Sequence, residues 1–130
     1  MNRKLGNAFE REFADRLFAD GFWVLKVPQT EAGQPADIIA VRNGKAYLID
    51  CKVCSNGVFP VSRIEPNQEL AMDLWSKCNN GTGWFALKFD DRIYMVASFI
   101  FRTIQKKSIT EESIKGLSVT YDLWKEWVIG

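Results

Sequence analysis

Residues 37–52 read Asp-Ile-Ile-Ala-Val-Arg-Asn-Gly-Lys-Ala-Tyr-Leu-Ile-Asp-Cys-Lys and carry the strongest folding signal in the chain. Two apolar runs flank Asn43-Gly44, the dipeptide that most favours a two-residue hairpin turn. The pattern therefore predicts antiparallel strands at 37–42 and 45–52. Because apolar residues occupy both faces of these runs, we expect the hairpin to lie in the middle of a sheet that is covered on both sides.

The register of this hairpin brings ionisable side chains together at its open end. A two-residue turn places Arg42 opposite Lys45, and the same register places Asp37 opposite Asp50. Opposite residues share a sheet face with Cβ atoms about 4.5–5.5 Å apart, and Lys52 shares that face two residues further along. We therefore expect two carboxylates and an amine in one place.

Facing carboxylates destabilise a hairpin, and a cation between them reverses the sign of that effect. Carboxylate oxygens and water suit Mg²⁺, with Mn²⁺ as a substitute, and such an ion activates water and stabilises charge on a phosphate. The site therefore predicts metal-dependent hydrolysis, assisted by Lys52. The alternative is a charge cluster at a strand end, in which Lys52 merely neutralises Asp50.

Hydrophobic periodicity and turn residues predict the remaining elements around the hairpin. The order is α-β-β-β-α-β-β-α followed by a tail, which corresponds to an α/β fold with a mixed central β-sheet and helices on both faces. We expect a single domain over 1–130, with a core at about 6–107 and a helical tail at 108–130. The predicted bounds are a helix at 6–19, a strand at 22–27, a loop at 28–36, a loop at 53–65, a helix at 66–78, strands at 84–89 and 93–97, a helix at 98–107, and short helical pieces near 110–115 and after Asp122.

The composition excludes several classes of enzyme. The chain has no histidine, which removes Ser-His-Asp and Cys-His catalysis and histidine-ligated zinc hydrolases. Three cysteines do not suggest a disulfide framework. No apolar run is long enough to cross a bilayer and the start is not a secretory signal, so we expect a cytoplasmic protein with no membrane partner. The net charge of +1 gives no global sign of nucleic-acid binding.

Short motifs around the hairpin resemble the PD-(D/E)xK nuclease superfamily, and their order is similar to that of the RecU and archaeal Hjc Holliday-junction resolvases. The resemblance covers about residues 2–100. The motifs that carry it are Gly6-Asn7-Ala8-Phe9-Glu10, Pro35-Ala36-Asp37-Ile38-Ile39-Ala40, Tyr47-Leu48-Ile49-Asp50-Cys51-Lys52, Phe59-Pro60 and Pro66-Asn67-Gln68.

The resemblance implies a restriction-endonuclease-like core and a homodimer that cuts four-way DNA junctions with Mg²⁺. It also implies roles for individual residues: metal-binding acids at Asp37 and Asp50, a metal-binding backbone carbonyl at Cys51, a catalytic lysine at Lys52, a further acid that serves catalysis and the metal at Glu10, and a catalytic glutamine at Gln68. Taken without the resemblance, Glu10 is equally well a solvated helix residue and Gln68 a polar group of a first helical turn.

The sequence departs from the family pattern at several positions. Asp50 stands where the family usually has Glu, which pulls the carboxylate back by one methylene, and Ala36 replaces a frequent hydroxyl residue. The 28–36 loop is short, unlike the projecting stalk of the RecU group and more like the archaeal enzymes. We therefore keep two alternatives open: a nuclease of the same superfamily that acts on other DNA structures, and a non-catalytic nucleic-acid-binding domain of the same fold.

Basic and aromatic residues outside these motifs suggest further contacts. We expect phosphate contacts from five basic side chains, for which an ordinary solvated surface is the alternative. These are Arg3, Lys4, Arg42, Lys45 and Arg63. Large aromatic side chains usually fill cores or subunit interfaces, and Trp124 and Trp127 in the tail are candidates for a dimer interface.

Overall fold

The computed structural model describes residues 3–31 and 33–129, with side chains from Leu5 onward. The main elements are four α-helices and eight strands, joined by short 3-10 and π turns. Their bounds are α1 (Arg3–Ala19), β1 (Trp23–Lys26), β2 (Ile38–Arg42), β3 (Lys45–Cys54), β4 (Val58–Pro60), α2 (Pro66–Trp75), β5 (Trp84–Phe89), β6 (Arg92–Ala97), β7 (Ser108–Thr110), α3 (Glu111–Leu117), β8 (Val119–Thr120) and α4 (Tyr121–Ile129).

Six strands form one mixed sheet in the order β1-β2-β3-β5-β6-β8. Neighbouring strands are antiparallel except β3 and β5, which are parallel and joined by the crossover that contains α2. Strands β4 and β7 form a separate antiparallel pair. The predicted class, a mixed central sheet with helices on both faces, is confirmed. Among the described residues, no helix combines the length and the apolar character that a bilayer crossing needs.

The β2–β3 hairpin forms with the predicted register. Asn43 and Gly44 have positive φ values of 53° and 75°, as a type I′ turn requires, and Arg42 pairs with Lys45. The ladder ends at the Ile38–Ile49 pair, one step before the expected Asp37–Asp50 pair. Beyond it, the N–H of Asp37 donates to the Ile49 carbonyl at 3.1 Å.

Two hydrophobic cores lie on opposite faces of the sheet. On one face, α1 packs Phe9, Phe13 and Leu17 against the sheet residues Ile38 and Ile49. On the other face, a cluster of α2, the 3-10 turn and the β4–β7 pair includes Leu48, Met72, Phe59 and Phe101. The alternation along the hairpin is therefore as predicted: residues on either side of each strand face different cores, because β-strand side chains alternate.

The tail at 108–130 is not the purely helical segment that the sequence suggested. It supplies β7 to the small sheet and β8 to the edge of the large one. Trp124 of α4 is fully buried among Phe22, Tyr47 and Tyr121. The tail therefore completes a core, and the prediction that Trp124 lies at a dimer interface is wrong. Trp127 is 71% exposed.

Three other segments differ from the predicted elements. The predicted loop at 53–65 contains β4 and a 3-10 turn over Val61–Arg63. Helix α2 ends at Trp75, and a π turn over Ser76–Asn80 follows it. In this turn Asn79 has a φ of 68°. The predicted helix at 98–107 is a single 3-10 segment, Ser98–Thr103, because Phe101 is drawn into the core against Phe59 and Phe85.

Candidate active site

The candidate site is an open cleft of about 440 Å³ at the end of the β2–β3 hairpin opposite its turn. Strand β3 supplies Asp50 and Lys52, and the residue just before β2 supplies Asp37. Helix α1 contributes Glu10 and the first turn of α2 contributes Gln68. The structure therefore brings together in one cleft all five residues for which the sequence suggested catalytic roles.

Asp50, Lys52 and Gln68 form a compact hydrogen-bonded group. The Lys52 ammonium lies 3.1 Å from Oδ2 of Asp50 and donates to Oε1 of Gln68 at 3.1 Å. The Gln68 amide donates in turn to Oδ1 of Asp50 at 3.1 Å. Asp50 is 1% exposed and Lys52 11% exposed, so both charges are largely removed from water.

The α2 N-terminus fixes the side chain of Gln68. Oε1 of Gln68 also accepts the backbone N–H of Glu65 at 3.2 Å, which leaves this amide with partners on both of its polar atoms. Pro66 begins the helix at its first turn, where its missing N–H costs no helical hydrogen bond. Because both polar atoms of its side-chain amide are bonded, Gln68 holds the Lys52 ammonium in a defined position.

Asp37 is anchored by the backbone on both sides. Its Oδ2 accepts the N–H of Cys51 at 2.7 Å, and its carbonyl accepts the N–H of Val27 at 2.8 Å. Oδ2 of Asp37 thus accepts the Cys51 N–H in place of a backbone carbonyl of β2, at the point where the β2–β3 pairing ends. This hydrogen bond explains why Asp37 remains beside Asp50 although the ladder ends one residue earlier.

Without a bound cation, the surroundings of Asp37 and Asp50 disfavour ionisation of both carboxyl groups. Burial raises the pKa of Asp50 to about 8, and the negative charge of Asp37 adds to the rise. Burial also raises the pKa of Asp37, although the Cys51 N–H opposes the shift. Lys52 offsets only part of this cost, so a further cation beside the two carboxylates would favour the ionised form of both.

The donor set fits a hard divalent cation. Oδ2 of Asp50 is buried and receives no aligned hydrogen bond from any described residue, although Lys52 lies nearby. A buried carboxylate oxygen beside a second carboxylate, together with the Cys51 carbonyl, is an oxygen set suited to Mg²⁺ or Mn²⁺. Among the described residues, no three Asp, Glu, Cys or His side chains cluster closely enough to bind an ion together. The role of Glu10 as a metal ligand stays a prediction.

Glu10 lies at the edge of the site rather than in its centre. Burial raises the pKa of the Glu10 carboxyl, the charge of Asp37 adds to the rise, and Lys26 opposes it. Lys26 was not singled out from the sequence, since its position beside Glu10 follows only from the packing of β1 next to α1. The alternation of β1, in which Val24 packs on the α1 side, is the one signal that places Lys26 on that face.

A polar rim surrounds the carboxylates, and sequence reasoning found only part of it. Gln29 and Glu65 line the cleft but lie outside the predicted motifs, and Asn7 lies within the motif at residues 6–10 but had no predicted role of its own. The side chain of Gln34, in the 28–36 loop, donates to the Val27 carbonyl at 2.6 Å, and the Gln34 backbone carbonyl accepts the side-chain amide of Asn67 at 3.4 Å. The 28–36 loop is thereby tied to the first turn of α2.

The basic residues expected to contact DNA do not gather at the cleft. Arg42 donates to the carbonyls of Asp20 and Gly21, at 3.2 and 3.0 Å, and so clamps the end of α1. Lys45 is exposed beside the hairpin turn, at the start of β3 and five residues before Asp50. Arg63 donates to the Val53 carbonyl and lies over the Phe59 ring. The side chains of Arg3 and Lys4 lie outside the described part of the chain.

Comparison with known proteins gives one consistent family. The family described as archaeal Holliday junction resolvase (hjc) matches residues 1–122. The chain is 25% identical over 116 residues to the crossover junction endodeoxyribonuclease Hjc of Methanocaldococcus jannaschii, covering 89% of this chain and 83% of that protein.

The fold comparison agrees with the sequence comparison. The structure of Archaeoglobus fulgidus Hjc, a Holliday junction resolvase from an archaeal hyperthermophile, superimposes with a TM-score of 0.73 at 17% identity. The alignment covers 92% of this chain and 99% of that one, so the two proteins share the whole fold. With the match over residues 1–122, these likenesses show that the chain belongs to the archaeal Holliday junction resolvase (Hjc) family.

Proposed function

We propose that this chain uses the cleft at Asp37, Asp50 and Lys52 to hydrolyse phosphodiester bonds in four-way DNA junctions, with Mg²⁺ and as a homodimer. The chain is a junction endonuclease by family, and the family implies a divalent metal ion. The observation that carries the site assignment is the buried carboxylate of Asp50, whose Oδ2 lies beside a second carboxylate and 3.1 Å from the Lys52 ammonium.

The aspartates would hold the metal ion together with the Cys51 carbonyl. When bound, Mg²⁺ supplies positive charge that lowers the pKa of a water molecule and neutralises charge on the phosphate. Asp50 offers Oδ2 to the ion while Gln68 holds its Oδ1. Asp37 offers Oδ1, because Oδ2 is bonded to the Cys51 N–H. Mn²⁺ has the same ligand preference and should substitute.

Lys52 would act on the attacking water or on the phosphate. Its ammonium is held by Gln68 and Asp50 but keeps a third donor, which can point into the cleft. From there it can orient the attacking water or stabilise the negative charge that develops on a phosphate oxygen. Gln68 contacts both Lys52 and Asp50, so we assign it a positioning role. Glu10, at the cleft edge, is placed to accept a hydrogen bond from water.

A homodimer follows from the symmetry of the reaction. Paired nicks on opposed strands of a junction need two sites related by a two-fold axis. The C-terminal edge of the molecule offers an apolar surface for this purpose, formed around β8 and α4 and defined by the exposed side chains Phe99, Leu117 and Trp127. We name it the C-terminal apolar surface.

Cleavage of a labelled four-way junction, a flap and a plain duplex in Mg²⁺ tests the proposal. We expect the junction to be cut and the duplex to be left intact, and expect Asp50→Asn and Lys52→Ala to lower the cleavage rate at least about a hundredfold while junction binding is kept. Glu69→Gln, an exposed change on the same α2 turn as Gln68, is the matched control. Normal cleavage by both variants would overturn the site assignment, and equal rates on duplex would remove junction selectivity.

A further inference from the structure

A second concave site lies at the other end of the β2–β3 hairpin from the active-site cleft. It has a volume of about 390 Å³ and lies between the hairpin turn and the segment that follows α2. Cavities of this size accommodate small molecules or single building blocks of a polymer. We call it the hairpin cavity; its functional groups come from Lys45, Tyr47, Asn79, Asn80 and Trp84.

Two aromatic rings form a rigid wall of this cavity. Tyr47 and Trp84 are each half-buried, so each ring shows part of its surface to the cavity. Both rings rest edge-on against the fully buried Trp124, at centroid distances of 5.4 and 6.0 Å. Because Trp124 is locked in the core, the two exposed ring surfaces are pre-organised and lose little entropy on binding a flat ligand.

Four polar side chains around the rings have no partner within the described chain. The Tyr47 hydroxyl, the Lys45 ammonium and the side-chain amides of Asn79 and Asn80 make no hydrogen bond or ion pair with any described residue. Asn79, which lines the cavity, adopts a left-handed φ of 68°. The cavity thus combines ring surfaces, a cation and amide groups that can both donate and accept.

This combination matches one ligand chemistry. A nucleotide offers a flat base that stacks on aromatic rings, base edges that pair with amides, and a phosphate that attracts an ammonium. We propose that the hairpin cavity binds one unstacked nucleotide of the DNA substrate, with its base against Tyr47 and Trp84 and its phosphate at Lys45. The proposal rests on the proposed function, since it supplies a second contact for the same DNA.

The two sites lie at different positions along the hairpin and on different sides of β3, because Lys45 and Tyr47 alternate with Asp50 and Lys52 along the strand. Lys45 and Asp50 are five residues apart on β3, which corresponds to ~17 Å. Branched DNA provides unstacked bases more readily than plain duplex, and the cavity would therefore favour junctions over duplex.

Titration of the metal-free protein with AMP, followed by the indole and amide resonances in NMR spectra, tests the cavity without any cleavage. We expect AMP to shift the Trp84 indole and the Lys45 and Asn80 amide signals, and expect Lys45→Ala with Asn80→Ala to weaken AMP binding about tenfold. Trp84→Leu, which keeps an apolar side chain over Trp124, should weaken it similarly. Lys107→Ala, another exposed lysine, is the matched control and should bind AMP as the wild type does.

Three results would overturn the proposal: no shift at these residues, unchanged binding in all the cavity variants, or equal affinity for inorganic phosphate and AMP, which would leave the rings without a role. The same variants should weaken binding of an eight-nucleotide single strand. Failure of the proposed function is separable, because a protein that does not cut junctions can still bind AMP, and a protein that cuts them can fail to bind it.

Discussion

At the scale of single residues, Asp50 decides the electrostatic character of the site. Its carboxylate is almost completely buried and receives an aligned hydrogen bond on Oδ1 alone. The Lys52 ammonium offsets only part of the cost of ionising two adjacent aspartates. Ionisation of the buried Asp50 beside Asp37 therefore destabilises the metal-free folded protein at neutral pH, and a bound divalent cation would offset this destabilisation.

This penalty predicts how the stability of the metal-free protein depends on pH. Unfolded Asp50 releases its proton near pH 4, whereas the folded group keeps it up to a pKa of about 8. Between these values the folded state binds the extra proton, so the free energy of unfolding falls as pH rises, by up to about 1.4 kcal/mol per unit for one group. Urea unfolding in EDTA from pH 4 to pH 8 measures the slope.

The Asp50→Asn variant is the control for this behaviour. It removes the titrating group, so its free energy of unfolding should fall less steeply over the same pH range, and added Mg²⁺ should stabilise it less than the wild type. A wild-type slope of zero, or a rise with pH, would show that Asp50 is already ionised without metal.

Gln68 gives a second prediction at this scale. Gln68→Ala removes the acceptor of the Lys52 ammonium and the donor to Asp50 together. We expect kcat to fall about ten- to a hundredfold with little change in KM, because the two reacting-centre groups lose their orientation but DNA contacts remain. Single-turnover cleavage as a function of pH is the measurement. The pH profile should also shift, which a merely structural helix residue would not cause, and Glu69→Gln should leave both unchanged.

The proximity of Asp37, Asp50 and Lys52 was predictable because one tight turn fixes it. The register of a two-residue hairpin propagates over five pairs without help from the rest of the chain. Lys26, and the contact that Asn67 makes to the 28–36 loop, were missed for the opposite reason. Their positions beside Glu10 and Gln34 depend on how β1 and α2 pack, which no local pattern in the sequence encodes.

At the scale of elements, long periodic segments were predicted well and short segments poorly. Helix α1 and the two hairpins have strong local signals, and their bounds agree with the prediction within about three residues. Strand β8 has only two residues, and β7 and β4 have three each, so no periodicity is available to detect them. They form because the large sheet and the C-terminal segment pack together.

The importance of the C-terminal segment can be measured at Trp124. Trp124→Ala removes the ring that contacts Phe22, Tyr47, Trp84 and Tyr121, and we expect it to lower the free energy of unfolding by about 3–5 kcal/mol. Urea denaturation followed by circular dichroism measures the loss. Trp23→Ala, which removes a tryptophan that is 60% exposed on β1, should change stability by only about 0.5 kcal/mol. If both variants lower the free energy of unfolding by the same amount, the C-terminal segment does not contribute to the hydrophobic core as described.

At the scale of the whole molecule, two apolar surfaces lie at different parts of the sheet. The C-terminal apolar surface borders the β8 edge. A second surface carries Leu70 and Leu74, which are 71% and 62% exposed on α2, near the active-site cleft. Exposed apolar patches on a small protein commonly mark places where another molecule docks. If both copies of a dimer must present their clefts to DNA, the surface away from α2 is the better contact.

A pair of charge substitutions separates the two surfaces. Trp127→Glu places a carboxylate in the C-terminal apolar surface, where pairing with the same surface of a second copy would bury it at a cost of several kcal/mol. We therefore expect sedimentation to show a monomer for Trp127→Glu and a dimer for both the wild type and the matched variant Leu70→Glu. The monomer should also nick junctions on one strand at a time rather than in pairs, since each nick then needs a separate binding event. If Leu70→Glu is the variant that dissociates, the dimer forms through α2 instead. If the wild type is a monomer and still makes paired cuts, the argument that paired nicks need two symmetry-related sites is wrong.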